Sequence, residues 1–158
     1  MKFRDFLERW GLSNLKISVG FLGAEFSPND PDRAAAWDFY IELLTRVTTQ
    51  YLAPDHGDEK TALASIFSLF ALTRDTLKKH GSGSGQFAKV AIPVLNQVIW
   101  PFTAKWHKRS LDGAFDTVDG CNEFRAELAD LQLKLRRYTT ALAAMAAVED
   151  LTNLEVLE

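Results

Sequence analysis

The sequence has a single cysteine, Cys121, among its 158 residues, so no internal disulfide can form and the cross-linked scaffold of a small secreted protein is excluded. A reducing cytoplasm is the expected compartment. No apolar run approaches the roughly 20 residues that a membrane-spanning helix needs. The opening MKFRDFLERWG intersperses Arg4, Asp5, Glu8 and Arg9 where a signal peptide would be apolar. Neither charge sign is in large excess: 18 Lys and Arg against 21 Asp and Glu leave a net charge of −3, without global attraction to nucleic acid or anionic lipid. Histidine is scarce as well, with three in all, and no Glu-x-x-His pair of the di-iron bundle type occurs. No metal or cofactor is expected.

The chain is rich in apolar residues, 47% of the total, too many for a disordered chain of such small net charge, and its length suits one domain with a substantial core. Phe3, Phe6, Leu7 and Trp10 fall at i, i+3, i+4 and i+7, predicting a short helix that Gly11 ends. Over residues 15–21 the period changes. Leu15, Ile17, Val19 and Phe21 alternate with Lys16, Ser18 and Gly20, the pattern of a half-buried strand whose partner would be segment 23–26, segment 154–157 or a second copy of the chain. Asp30 and Pro31 suit a helix start, and the next helix is expected to reach about Leu52 with Trp37, Tyr40, Ile41, Leu44, Val47 and Tyr51 as its apolar stripe.

A second long helix is predicted over 58–80, with Leu63, Ile66, Phe67, Phe70 and Leu77 inward and Gly81 as its cap. GSGSG at 81–85 reads as a flexible connector. A third helix, 86–107, carries Phe87, Val90, Val94, Leu95, Val98, Phe102 and Trp106 and should kink at Pro93, Pro101 or both; 108–118 reads as a loop. The strongest signal is the last helix, 119–148, where Phe124, Leu128, Leu131, Leu135, Tyr138, Leu142 and Met145 form a sustained heptad seam. The expected fold is therefore mainly α: a bundle of four long helices with a short N-terminal helix and one extended segment near 15–21. It would be one domain, with an arm at 1–30, the bundle at 31–150 and a tail at 151–158, whose final Leu157 and Glu158 read as a cloning remnant without functional weight.

Catalytic patterns are weak. His56 and Glu59 have ligand-like i, i+3 spacing but straddle a Gly-Asp turn. Cys121 near a helix start has no histidine and carboxylate in a triad-like arrangement. Glu123, Glu127 and Asp130 line one side of the last helix, but no second helix supplies the matching acidic pairs of a magnesium-dependent pyrophosphohydrolase. The 81–85 glycines follow a helix and lack the phosphate-loop lysine. No catalytic residue is assigned, which leans against an enzyme. Two basic groups stand out, Lys105, His107, Lys108 and Arg109 at the end of the third helix and Lys134, Arg136 and Arg137 midway along the last; the first, with Trp100 and Trp106 nearby, raises a second possibility of anion binding.

The segments AAAWDFYIELLTRVTTQ, GDEKTALASIFSLFALTRDTLKKHG and VLNQVIWPFTAKWH together resemble a helical module of uncharacterised bacterial proteins associated with mobile elements and anti-phage conflict loci. The resemblance spans residues 34–107 and implies a setting without an activity. It departs at Trp100, where that module has an arginine before the proline, so an anion contact there would be lost. Two expectations follow. The first is a non-enzymatic interaction or accessory module, regulatory or defence-associated, that binds a protein partner and self-associates, with Trp100, Val19 and Phe21 at the interface. The second is a ligand-sensing domain for a nucleotide or other anion, with Arg46, Arg74, Lys105, His107 and Lys108 as contacts. Neither membrane nor nucleic acid is an expected partner.

Overall fold

The N-terminal spacing is realised as α1 (Phe3–Arg9), with Phe3, Phe6 and Leu7 buried. The computed structural model describes residues 1–155, and within them every regular element is helical. The predicted strand at 15–21 does not form. Residues 15–18 run without a partner strand and give way to a single helical turn, α2 (Val19–Leu22). Only Leu15 of the alternating set is buried, while Val19 and Phe21 are exposed. The extended backbone finds a side chain in place of a strand: the Gln97 Oε1 accepts from the Lys16 N–H at 2.8 Å and its Nε2 donates to the Lys16 carbonyl at 2.9 Å. A primary amide carries the same donor and acceptor as a peptide, so one glutamine satisfies both groups. Segment 23–26 does pair, but with the chain start, through Phe26 N–H to the Met1 carbonyl and Phe3 N–H to the Ala24 carbonyl.

The next helix, α3 (Asp30–Leu44), starts one residue earlier in role than expected. Asn29 is the cap and exchanges bonds with Asp32, a complete capping box. The helix stops eight residues short of Leu52. Thr48 and Thr49 hydroxyls both donate to the Leu43 carbonyl and the Gln50 amide to that of Leu44, so side chains take the last carbonyls of α3 in place of a continued helix. Its buried face is also rotated from the predicted stripe: Ala35, Ala36, Phe39, Tyr40 and Leu43 face the core, and Trp37, Ile41 and Tyr51 are exposed. The small alanines let α3 approach its neighbours closely, and bulky Trp37 is turned to the rim, stacked on Tyr40.

The predicted 58–80 helix is interrupted at Ser68, giving α4 (Glu59–Phe67) and α5 (Leu69–His80). GSGSG is ordered: Ser82–Ser84 form a 3-10 turn, Ser84 is buried with its hydroxyl on the Gly81 carbonyl, and a Cβ at Gly83 would press on Pro31. The two prolines bracket their distortion. After α6 (Gly85–Val94) the chain makes a π-helical segment, Leu95–Ile99, before α7 (Trp100–Leu111), which takes in part of the expected loop. Pro101 has no N–H to return to the preceding turn, which favours a widened register just before it.

The heptad seam becomes α8 (Val118–Ala146), 29 residues or about 44 Å at 1.5 Å each. All seven seam residues are at most 4% exposed. The seam therefore packs within the chain, chiefly on α3, with Phe39, Phe87 and Tyr138 at one level and Phe102, Trp106, Phe115 and Phe124 at another. Among the described residues no helix is long and apolar enough to cross a membrane. The Leu157–Glu158 pair lies outside them.

Candidate functional site

The five residues expected to contact an anion do not converge. Arg46 spends its charge on Glu42, one turn earlier on α3, at 2.6 Å. Lys105 pairs with Glu127 and Glu123 across the α7–α8 contact, and Glu127 also accepts from the Trp106 indole N–H at 2.7 Å. Arg109 completes this lattice, bonded to Glu123 at 2.6 Å and stacked 4.5 Å over the Trp106 ring. The Arg109 hydrogen bond holds the Glu123 carboxyl below its usual pKa. The acidic row of α8 and the basic end of α7 thus neutralise each other, which accounts for both without a ligand. Arg74, His107 and Lys108 remain exposed, on α5 and α7.

What does converge is aromatic. Trp100 stands edge-on to Phe70 with ring centroids 5.9 Å apart, Phe70 lies 5.5 Å from Phe67, and Phe67 meets the His107 ring edge-on at 5.0 Å. The four rings make one row along the surface where α4 packs on α7. Trp100 is 53% exposed and Phe67 46%. The expectation that Phe67 faces the core is overturned: the buried face of α4 and α5 runs through Ala62, Leu63, Ile66, Leu69, Thr73 and Thr76. Two threonines on that face escape an apolar-only reading because each hydroxyl returns to a carbonyl four residues back and presents its methyl inward. Ala71 and Arg74 on α5 and Ala104 and Lys108 on α7 are exposed as well, and Leu111 ends α7 almost fully exposed. Val19 and Phe21, the other expected interface residues, are exposed on α2, with Lys89 over the Phe21 ring.

Nucleophile chemistry gains nothing from the fold. Cys121 donates to the Phe115 carbonyl, and burial followed by the nearby Glu59 carboxylate pushes its thiol pKa up, away from thiolate. Glu59 itself is bound to Arg125 at 2.8 Å; burial works against its charge, and Arg125 outweighs that to hold its pKa low. The one histidine–carboxylate pair among the described residues, His80 Nε2 to Asp38 Oδ2 at 2.7 Å, shares its carboxylate with Lys79 and ties α5 to α3. Among the described residues no three His, Cys, Asp or Glu side chains are grouped to hold a metal.

Comparison with protein-family models, curated proteins and solved structures finds no match.

Proposed function

We propose that the chain is a non-enzymatic helical interaction module that docks a protein partner on the Trp100–Phe70–Phe67–His107 row. The observation that carries the reading is the exposure of Trp100 and Phe67 on either side of Phe70 in one aromatic row. Large rings at a surface cost solvation unless they are covered, and aromatic anchors with a polar rim are the usual centre of a protein interface. Two features that also suggested association are taken up inside the chain: the heptad seam is core, and the extended segment is bonded to Gln97. The row stands as their replacement. The resemblance of residues 34–107 suggests an accessory or regulatory role in bacteria.

A second copy of the chain is the partner to test first. Sedimentation velocity across a concentration series should show association that Trp100→Asp weakens by at least about 30-fold, the loss of one anchor of roughly 2 kcal/mol. A photo-crosslinker placed at position 100 in the source cells should capture a protein, against a control at Val118, which is 76% exposed away from the row. A strict monomer at every concentration, together with equal crosslinking from positions 100 and 118, would sink the reading.

A further inference from the structure

A different face carries a built cavity. It has a volume of about 590 Å³ and lies between residues 11–16, the end of α6 with its π segment, and the middle of α8. Its lining includes the aliphatic Leu12, Leu15, Val94 and Val98 and three cations, Lys16 and the pair Lys134 and Arg137, one turn apart on α8. Among the described residues no carboxylate lies within 4.0 Å of any of these three cations. This contrasts with Lys105, Arg46, Arg109 and Arg125, each of which is paired. Arg9 and Arg136 join Arg137 around an adjoining cleft, so a chain of net charge −3 gathers positive charge here.

Tyr138 also lines the cavity, 1% exposed, with its hydroxyl closed off from solvent, so it contributes ring surface and no donor to the lining. Gly11 has φ 72° and sits where a Cβ would come within 3.2 Å of the Arg137 side chain. A glycine there lets the guanidinium stem lie across the backbone at the cavity wall.

We propose that this cavity binds a small amphipathic anion, its carboxylate or phosphate head held by Lys134 and Arg137 and its compact aliphatic body against Leu12, Leu15, Val94 and Val98. Arg supplies paired donors for either head and Lys a point charge. Four apolar side chains with a few polar groups match the usual make-up of a small-molecule site of this size. A nucleotide fits less well, because the walls present no exposed ring on which a base would stack.

The test is a calorimetric titration of the purified protein with octanoate, octyl phosphate, octanol, inorganic phosphate and AMP. Octanoate or octyl phosphate should bind, and either one binding alone identifies the head group. Lys134→Gln and Arg137→Gln, both at exposed positions that leave the core untouched, should each weaken binding about tenfold, the scale of one charge-assisted hydrogen bond. Val98→Trp should block the cavity, with circular dichroism confirming the fold; should that variant not fold, the two glutamine variants decide. Octanol binding as well as the anions would reduce the site to an apolar hollow, and inorganic phosphate binding as well would reduce it to a charge patch. AMP binding best, affinity unmoved by the glutamine variants, or no binding at all would each overturn the proposal.

Discussion

Gly120 is the position where a single methyl group has the largest expected consequence. It lies in the first turn of α8, buried, where the Ala114 carbonyl comes so close that any Cβ would overlap it. The helix dihedrals there would suit alanine, so propensity alone predicts a gain of up to about 1 kcal/mol for Gly120→Ala. The clash decides otherwise. The 114–116 turn carries Phe115, whose ring stacks on Trp106 and meets Phe124, and it cannot withdraw without opening that cluster. Gly120→Ala should therefore destabilise by roughly 2–3 kcal/mol, read as a lower midpoint in urea, whereas an unchanged or higher midpoint would show that the turn yields freely. Asp32 is the polar counterpart. Its fully buried carboxylate closes the Asn29 capping box and also accepts from the Phe87 N–H at the start of α6, at 3.0 Å. Asp32→Ala strands donors at two helix starts and should cost about 2–4 kcal/mol, with Asp32→Asn recovering part of it.

At the scale of elements, the long helix was readable because a heptad seam leaves no other period to choose, and the proline distortion was readable from local chemistry, whereas the sequence points to Asp30 as the cap of α3 and the cap is Asn29. The same local reading fails where a distant side chain decides. Residues 45–50 fit a helical period, but Gln132 on α8 donates to the carbonyls of Val47 and Gln50, at 2.6 and 2.8 Å, and Arg136 donates to that of Thr49. These bonds satisfy an unwound backbone that would otherwise have continued the helix, and nothing in the local pattern announces them. Gln97 does the same for residues 15–18, where strict alternation mimicked a strand. Of the candidate row, Trp100 stood out beforehand because it lies off the Phe102–Trp106 stripe. Phe67 did not, since adjacent Ile66 and Phe67 both suit an apolar face about 100° wide and only packing selects one. The role of Gln132 is directly testable. Gln132→Leu keeps the heptad helix and adds apolar surface, yet it removes both donors from the 47–50 backbone. It should destabilise by about 1–3 kcal/mol and speed amide exchange in 45–52 selectively; a more stable protein with unchanged exchange would mean that water serves those carbonyls equally well.

Across the whole molecule, three of the carboxylates with lowered pKa values, Asp38, Glu59 and Glu123, join elements. Asp38 links α3 to Lys79 and His80 of α5, Glu59 links α4 to Arg125 of α8, and Glu123 links α8 to Arg109 of α7. For Asp38 and Glu59, burial opposes ionisation, and the cationic partners prevail; for Glu123 the Arg109 hydrogen bond leads. A carboxylate whose folded pKa lies below its unfolded value, about 3.9 for Asp and 4.3 for Glu, contributes its stability in full above that unfolded value. The contribution is lost as pH falls through the folded value, because the unfolded chain takes up the proton first. The melting temperature should therefore be nearly flat from neutral pH to about 5 and drop steeply below about 4. Asp38→Asn with Glu59→Gln should melt lower at pH 7 and have a shallower acid limb, so that the two curves converge on acidification. If the variant's curve instead ran parallel to the parent's down to the lowest pH, the cross-element pairs would contribute no pH-dependent stability. The core beneath them would then be the whole source of cohesion between the helices.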